Sequence, residues 1–196
     1  NLPAIIERHP RWSALAAGII SALGFAPLGW WPLTLAALAL LIAQVARTPR
    51  IATAFNFGWL FGLGHFAISN NWIATAFTYQ AAMPAWLGWV AVLLLSLYLA
   101  LFPALATATA RWLQLRLRAA DQALILPLLL AASWILTEWL RSWLFTGFAW
   151  NPLAAIAPFA AAPSRPVGTY GQSGLIVLIA GGLWLMASRQ WRAAAL

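Results

Sequence analysis

Glu138 and Arg141 stand three residues apart in the run Thr137-Glu-Trp-Leu-Arg-Ser-Trp-Leu-Phe-Thr-Gly-Phe-Ala-Trp-Asn151, and Glu138 is one of only three acidic residues in a chain of 196. Residues three apart on a helix share a face, so the two side chains can pair, which lowers the cost of holding either charge at membrane depth. The pair runs directly into an aromatic loop. Trp139, Trp143, Phe145, Phe148 and Trp150 surround Thr146 and Gly147, where a break in the helix would sit near the lipid headgroups. A loop of this kind suits lipid handling. The same residues also fit a plainer role, a structural ion pair beside an aromatic belt, and residue types alone leave both readings open.

The other reactive side chains make no second centre. The chain has no Cys, so disulfides, thiolate metal sites and Cys nucleophiles are excluded within it, and all eleven basic residues are Arg, which excludes a Lys base or Schiff base. A Ser, His and acid triad would need its members brought together, but Asp121 falls on the cytoplasmic side, His65 within a span and Glu138 towards the outer side. Gly171-Gln-Ser173-Gly174 lacks the Gly-x-Ser-x-Gly spacing of a nucleophile elbow, and its glycines read as softening the start of a helix. His65, alone in an apolar span, reads as a hydrogen-bonded packing residue. Two His and three acids scattered along the chain form no metal-ligand cluster, so neither a metal nor another cofactor is expected.

The elements that carry these residues follow from composition. The chain is 64% hydrophobic and 7% charged, against about 25% charged in soluble domains, and is expected to be all-α, a polytopic integral membrane helix bundle of about six transmembrane helices forming a single transmembrane domain over 1–196. Six apolar segments run from Trp12 to Phe25, Pro32 to Ala46, Ile51 to Phe77, Pro84 to Arg111, Ala123 to Phe145 and Val167 to Ala187. The first resembles a signal peptide but reads as a retained span. The first two are short, either thin crossings or a re-entrant hairpin, joined by Phe25-Ala-Pro-Leu-Gly-Trp-Trp-Pro32. Within the third, Gly58, Gly62 and Gly64 suit close helix packing, and Asn56, His65, Asn70 and Asn71 are expected to face the bundle interior or a wet cavity.

Six crossings put nine of the eleven Arg on one side and leave Arg141 and Arg165 opposite. By the positive-inside rule both termini are cytoplasmic, and the loops around 27–32, 78–84 and 146–166 face outward. The net charge of +8 therefore reads as a topology signal, with no nucleic acid among the expected partners.

Several motifs in order carry a family resemblance: Gly24-Phe-Ala-Pro27 with Trp31-Pro32, Gly58-Trp-Leu-Phe-Gly62 through Asn71-Trp72, Thr137-Glu-Trp-Leu-Arg141, Thr146-Gly-Phe-Ala-Trp150-Asn, and Gly168-Thr-Tyr-Gly171-Gln-Ser173. Together they resemble apolipoprotein N-acyltransferase over nearly the whole chain, with Ala149 standing where most members carry Pro. The resemblance implies a bacterial inner-membrane enzyme of eight helices with a periplasmic nitrilase-like domain bearing a Glu, Lys and Cys triad. It implies acyl transfer from a phospholipid, through a Cys thioester, to the α-amine of a diacylglyceryl-cysteine on a lipoprotein. On that basis the chain resembles a fragment that lacks the catalytic domain and is inactive alone. Glu138, Arg141, Thr146, Gly147, Phe148 and Trp150 would form the floor beneath the triad, with Asn71 and Trp72 at the outer end of the third helix, all supporting lipid and substrate access and none catalytic. Two rival readings are a small transporter or channel, with Glu138 and Arg141 as its site, and a non-enzymatic membrane scaffold for a separately encoded catalytic subunit.

Overall fold

The computed structural model describes residues 8–79, 83–117, 121–145, 147–156 and 161–188, with backbone alone over 161–165. Secondary structure among them is entirely helical: α1 (Pro10–Ala22), α2 (Trp31–Arg47), α3 (Ile51–Ser69), α4 (Trp72–Thr78), α5 (Trp86–Leu99), α6 (Leu101–Arg116), α7 (Gln122–Arg141), a 3-10 turn (Leu153–Ile156) and α8 (Ala161–Ala187). Four stretches are long and apolar enough to cross a membrane: α3, the continuous α5–α6 unit Trp86–Arg116, α7, and Pro166–Ala187 within α8. At 1.5 Å per residue the α5–α6 unit is about 46 Å long, more than the ~30 Å hydrocarbon core, so it reaches headgroup depth at both ends.

The first two segments form a short antiparallel pair. Pro10 and Pro32 stand in the first turns of α1 and α2, where a missing N–H costs nothing. At one end of the pair Gln44 Nε2 donates to the Pro10 carbonyl at 3.0 Å and to Ser13 Oγ at 2.5 Å. At the other, Thr34 Oγ1 donates to the Ser21 carbonyl at 2.7 Å. The 13 residues of α1 and 17 of α2 make about 20 and 26 Å, so both are thinner than a full crossing.

Small residues let α1 and α6 close on α3. The buried face of α1 is Ala14, Ala17, Gly18 and Ser21. A Cβ on Gly18 would lie 2.0 Å from the Phe61 carbonyl oxygen, and one on Gly64 would lie 2.5 Å from that of Leu15. On the opposite side of α3, Gly58 and Gly62 meet Pro103 and Ala100, and Thr107 Oγ1 donates to the Ala54 carbonyl at 2.9 Å. The expected packing role of these glycines is what the bundle uses. Gly18→Ala should therefore cost about 1–3 kcal/mol by forcing α1 off α3. Gly182→Ala, with nothing within 4 Å of its Cβ, should be near neutral. Unfolding of the two variants in one detergent is the measurement, and equal behaviour would refute the close crossing.

Four sequence expectations need correction. The segment Ile51 to Phe77 is not one helix: α3 stops at Ser69, and α4 begins at Trp72 after Asn70 adopts φ −105, ψ 12. Asn56 is exposed, because the buried stripe of α3 runs Ala54, Phe57, Gly58, Phe61, Gly62, His65 and the helical period carries Asn56 to the far side. Asn71 is also exposed, in the break itself, while Asn70 beside it is fully buried. The fifth segment ends at Arg141 rather than Phe145.

Among the described residues Arg8, Arg11, Arg47, Arg50, Arg111 and Arg116 gather where α1 and α3 begin and α2 and α6 end. The break after α3, the start of α5, where Gly88 meets Ala74 of α4, and the chain following α7 lie at the opposite end.

Candidate lipid-access site

The end of α7 and the chain that follows it form the site. Glu138 and Arg141 do share a face and are 5% and 3% exposed, but their closest approach, Arg141 Nη2 to Glu138 Oε1, is 3.8 Å. Each charge is spent mainly on the loop. Arg141 Nη1 donates to the Trp150 carbonyl at 2.7 Å, and Glu138 Oε1 accepts the Leu153 N–H at 3.0 Å. The Phe148 N–H returns to the Arg141 carbonyl at 2.9 Å, which ties the loop to the last turn of α7. The guanidinium also lies 5.2 Å from the centre of the Phe66 ring, on its face.

Two more buried side chains, from α8 and the end of α3, complete the fastening. Ser173 Oγ accepts the Ala154 N–H at 3.0 Å, and Asn151 Nδ2 donates to Asn70 Oδ1 at 2.9 Å. A loop folded back into a bundle must give its backbone polar groups partners, and here side chains of α7 and α8 supply them. The backbone between is tight: Phe145, Gly147 and Asn151 have φ of 56, 71 and 56. A Cβ on Gly147 would lie 2.4 Å from the Ser142 carbonyl oxygen, so glycine is required there twice over.

This fastening sorts the aromatic residues into two groups. Phe148 turns inward onto Phe66, Leu99 and Phe102. Trp143, Phe145 and Trp150 face outward, exposed by 53%, 83% and 63%. Trp150 meets Trp72 edge to face at 6.0 Å, Phe145 meets Tyr98 at 5.9 Å and Trp139 meets Trp143 at 5.1 Å. Of the residues singled out in the sequence, the structure thus brings together Glu138, Arg141, Gly147, Phe148, Trp150 and Trp72. Thr146 lies outside the described residues. Asn71 is near but turned out, and the contact to the loop belongs to Asn70. Asn70, Asn151 and Ser173 were missed as anchors. Each is a small polar residue at the edge of an apolar run, a signal that marks burial only once a partner is known.

Beneath the loop is a cavity of about 20 Å³ lined by residues including His65, Trp134, Glu138, Arg141 and Asn151, enough for one water. Glu138 Oε2 is buried there without a hydrogen-bond partner. His65 is, as expected, a packing residue. Ser21 Oγ gives its one proton to the Gly18 carbonyl, so the 2.7 Å contact to His65 Nδ1 makes that nitrogen the donor. Its ring sits among Phe25, Phe61 and Phe66. No group of three metal-binding side chains occurs among the described residues. A space of this size is too small for a lipid chain.

A bundle of long apolar helices that closes one end with a buried, charge-fastened aromatic loop is an integral membrane protein. The family profile described as apolipoprotein N-acyltransferase N-terminal domain matches residues 17–195. The chain is 37% identical to the apolipoprotein N-acyltransferase of Ralstonia nicotianae, over 90% of this chain and 34% of that protein. It is 33% identical to the protein of the same name from Shewanella oneidensis, over 98% of this chain and 38% of the relative, and 33% identical to that of Methylococcus capsulatus, over 93% and 36%. The chain belongs to the apolipoprotein N-acyltransferase family and is a bacterial membrane protein. It spans about a third of the length of these curated relatives.

Proposed function

We propose that this chain is the membrane domain of an apolipoprotein N-acyltransferase, anchoring the catalytic part and presenting the 142–156 loop as the surface where lipid substrates approach. The substrates are a phospholipid acyl donor and a diacylated lipoprotein whose N-terminal α-amine accepts the acyl chain. The observation that carries the reading is the loop's construction: four buried polar side chains hold it in one shape while Trp143, Phe145 and Trp150 stay free for lipid. The role of Glu138 and Arg141 is to hold the loop. A transporter or channel reading would need a cavity beneath it, and that space takes one water.

The 196 residues contain neither Cys nor Lys, so on this reading the thioester nucleophile and its Lys partner are supplied from outside them. The chain alone, in nanodiscs with labelled phospholipid and a diacylated lipopeptide, should give no triacylated product by mass spectrometry. Product above the empty-disc background would mean an intramembrane nucleophile and sink the proposal.

The reading also sets an orientation, with the arginine-rich end cytoplasmic and the loop periplasmic. The absence of native Cys makes the labelling test clean. An impermeant maleimide added to intact spheroplasts should modify Phe145→Cys, at a position 83% exposed, and leave Arg50→Cys untouched. The reverse pattern would put the loop on the wrong side for lipoprotein acylation.

A further inference from the structure

At the arginine-rich end, away from the loop, an open cleft of about 550 Å³ lies between the ends of α2, α6, α7 and α8. Arg111, Gln114 and Gln122 give it a polar side, and Leu115, Leu117 and Trp184 an apolar one. The polar side is organised. Gln114 Nε2 donates to the Gln122 carbonyl at 2.6 Å, Gln122 Nε2 donates to the Leu117 carbonyl at 2.9 Å, and Gln114 Oε1 accepts from Arg111 Nη1. The Gln114 amide thus fixes the Arg111 guanidinium at the wall of the cleft. A planar guanidinium held there suits an oxyanion.

The surrounding charge has the right sign. Arg116 lies over Trp112 near the end of α6, and Arg47 closes α2 at the same end of the bundle. Asp121, the one described acid at this end, is engaged in capping α7, accepting the Ala123 and Leu124 N–H groups at 2.9 and 3.1 Å. A free anion would use the polar side only. The apolar side continues outward through Leu115 and Leu117, exposed by 50% and 44%, which a ligand carrying acyl chains would cover.

We propose that this cleft binds the phosphodiester headgroup of an anionic phospholipid, with Arg111 as the anchoring donor and an acyl chain along Leu115 and Leu117. This site is separate from the 142–156 loop and does not depend on the acyl-transfer reading. The test is native mass spectrometry of the whole purified chain with phosphatidylglycerol, with phosphatidylcholine, or with inorganic phosphate. The chain should retain one phosphatidylglycerol in preference to phosphatidylcholine. Arg111→Gln should lower that retention at least about fivefold, the effect of one basic contact at a membrane surface. Leu115→Trp, which fills the cleft from an exposed position and changes no charge, should lower it as well and decides the matter if Arg111→Gln fails to fold. Retention unchanged in the folded variants, or no preference between the two lipids, would overturn the site. Inorganic phosphate held as firmly as phosphatidylglycerol would overturn the assignment to lipid.

Discussion

Arg141→Met is expected to destabilise the bundle by about 3–5 kcal/mol, because it leaves the Glu138 carboxylate buried without its countercharge and removes the donor to the Trp150 carbonyl. Glu138→Gln should cost less. A glutamine oxygen can still accept the Leu153 N–H, and Arg141 keeps its carbonyl and its place on Phe66. The double variant should be more stable than the sum of the single losses predicts, since no orphan charge remains, but it should stay well below the parent because the Trp150 contact is still gone. Reversible unfolding of the four proteins in one detergent gives the coupling directly. Strict additivity would show that the 3.8 Å approach carries no energy.

The second large effect is expected at Asn151. Its side chain is the cross-bundle link to Asn70, and its backbone sits at φ 56, where asparagine is tolerated and alanine is not. Asn151→Ala should cost about 2–4 kcal/mol, the sum of an unmet buried Asn70 oxygen and backbone strain. Asn151→Gly relieves the strain but still loses the hydrogen bond, so it should fall between the parent and the alanine variant. If the two variants were equally stable, backbone conformation would not be part of what holds the loop.

The ion-pair face was legible because i, i+3 spacing is local and a carboxylate in an apolar run needs a partner close by. What Glu138 and Arg141 do with their remaining valence was not. Leu153 and Trp150 come to them through a turn whose path depends on Asn70 and Ser173, contributed by helices far away in sequence. The same reason hid the break after Ser69. Trp72 to Phe77 continues the apolar run, and nothing local distinguishes the buried Asn70 from the exposed Asn71. Asn56 failed for a different cause. Polarity alone does not fix an interior position, and the spacing of Ala54, Phe57, Gly58 and Phe61 puts Asn56 on the opposite face. The motifs that matched the family were read correctly as a set, and Glu138, Arg141 and Gly147 within them are explained by the geometry of one loop.

On the function proposed above, this bundle serves through its fastened loop as the membrane domain of an apolipoprotein N-acyltransferase. The direct test is a hybrid in which residues 8–188 replace the corresponding region of the Ralstonia nicotianae relative, assayed in nanodiscs for transfer of a labelled acyl chain to a diacylated lipopeptide. Triacylated product is expected from the hybrid, and at least about a tenfold loss when Arg141→Met and Asn151→Ala unfasten the loop while the protein stays inserted, a cost of about 1.4 kcal/mol or more at the transition state. A correctly inserted hybrid that forms no product beside an active parent, or one whose activity is indifferent to both changes, would contradict it.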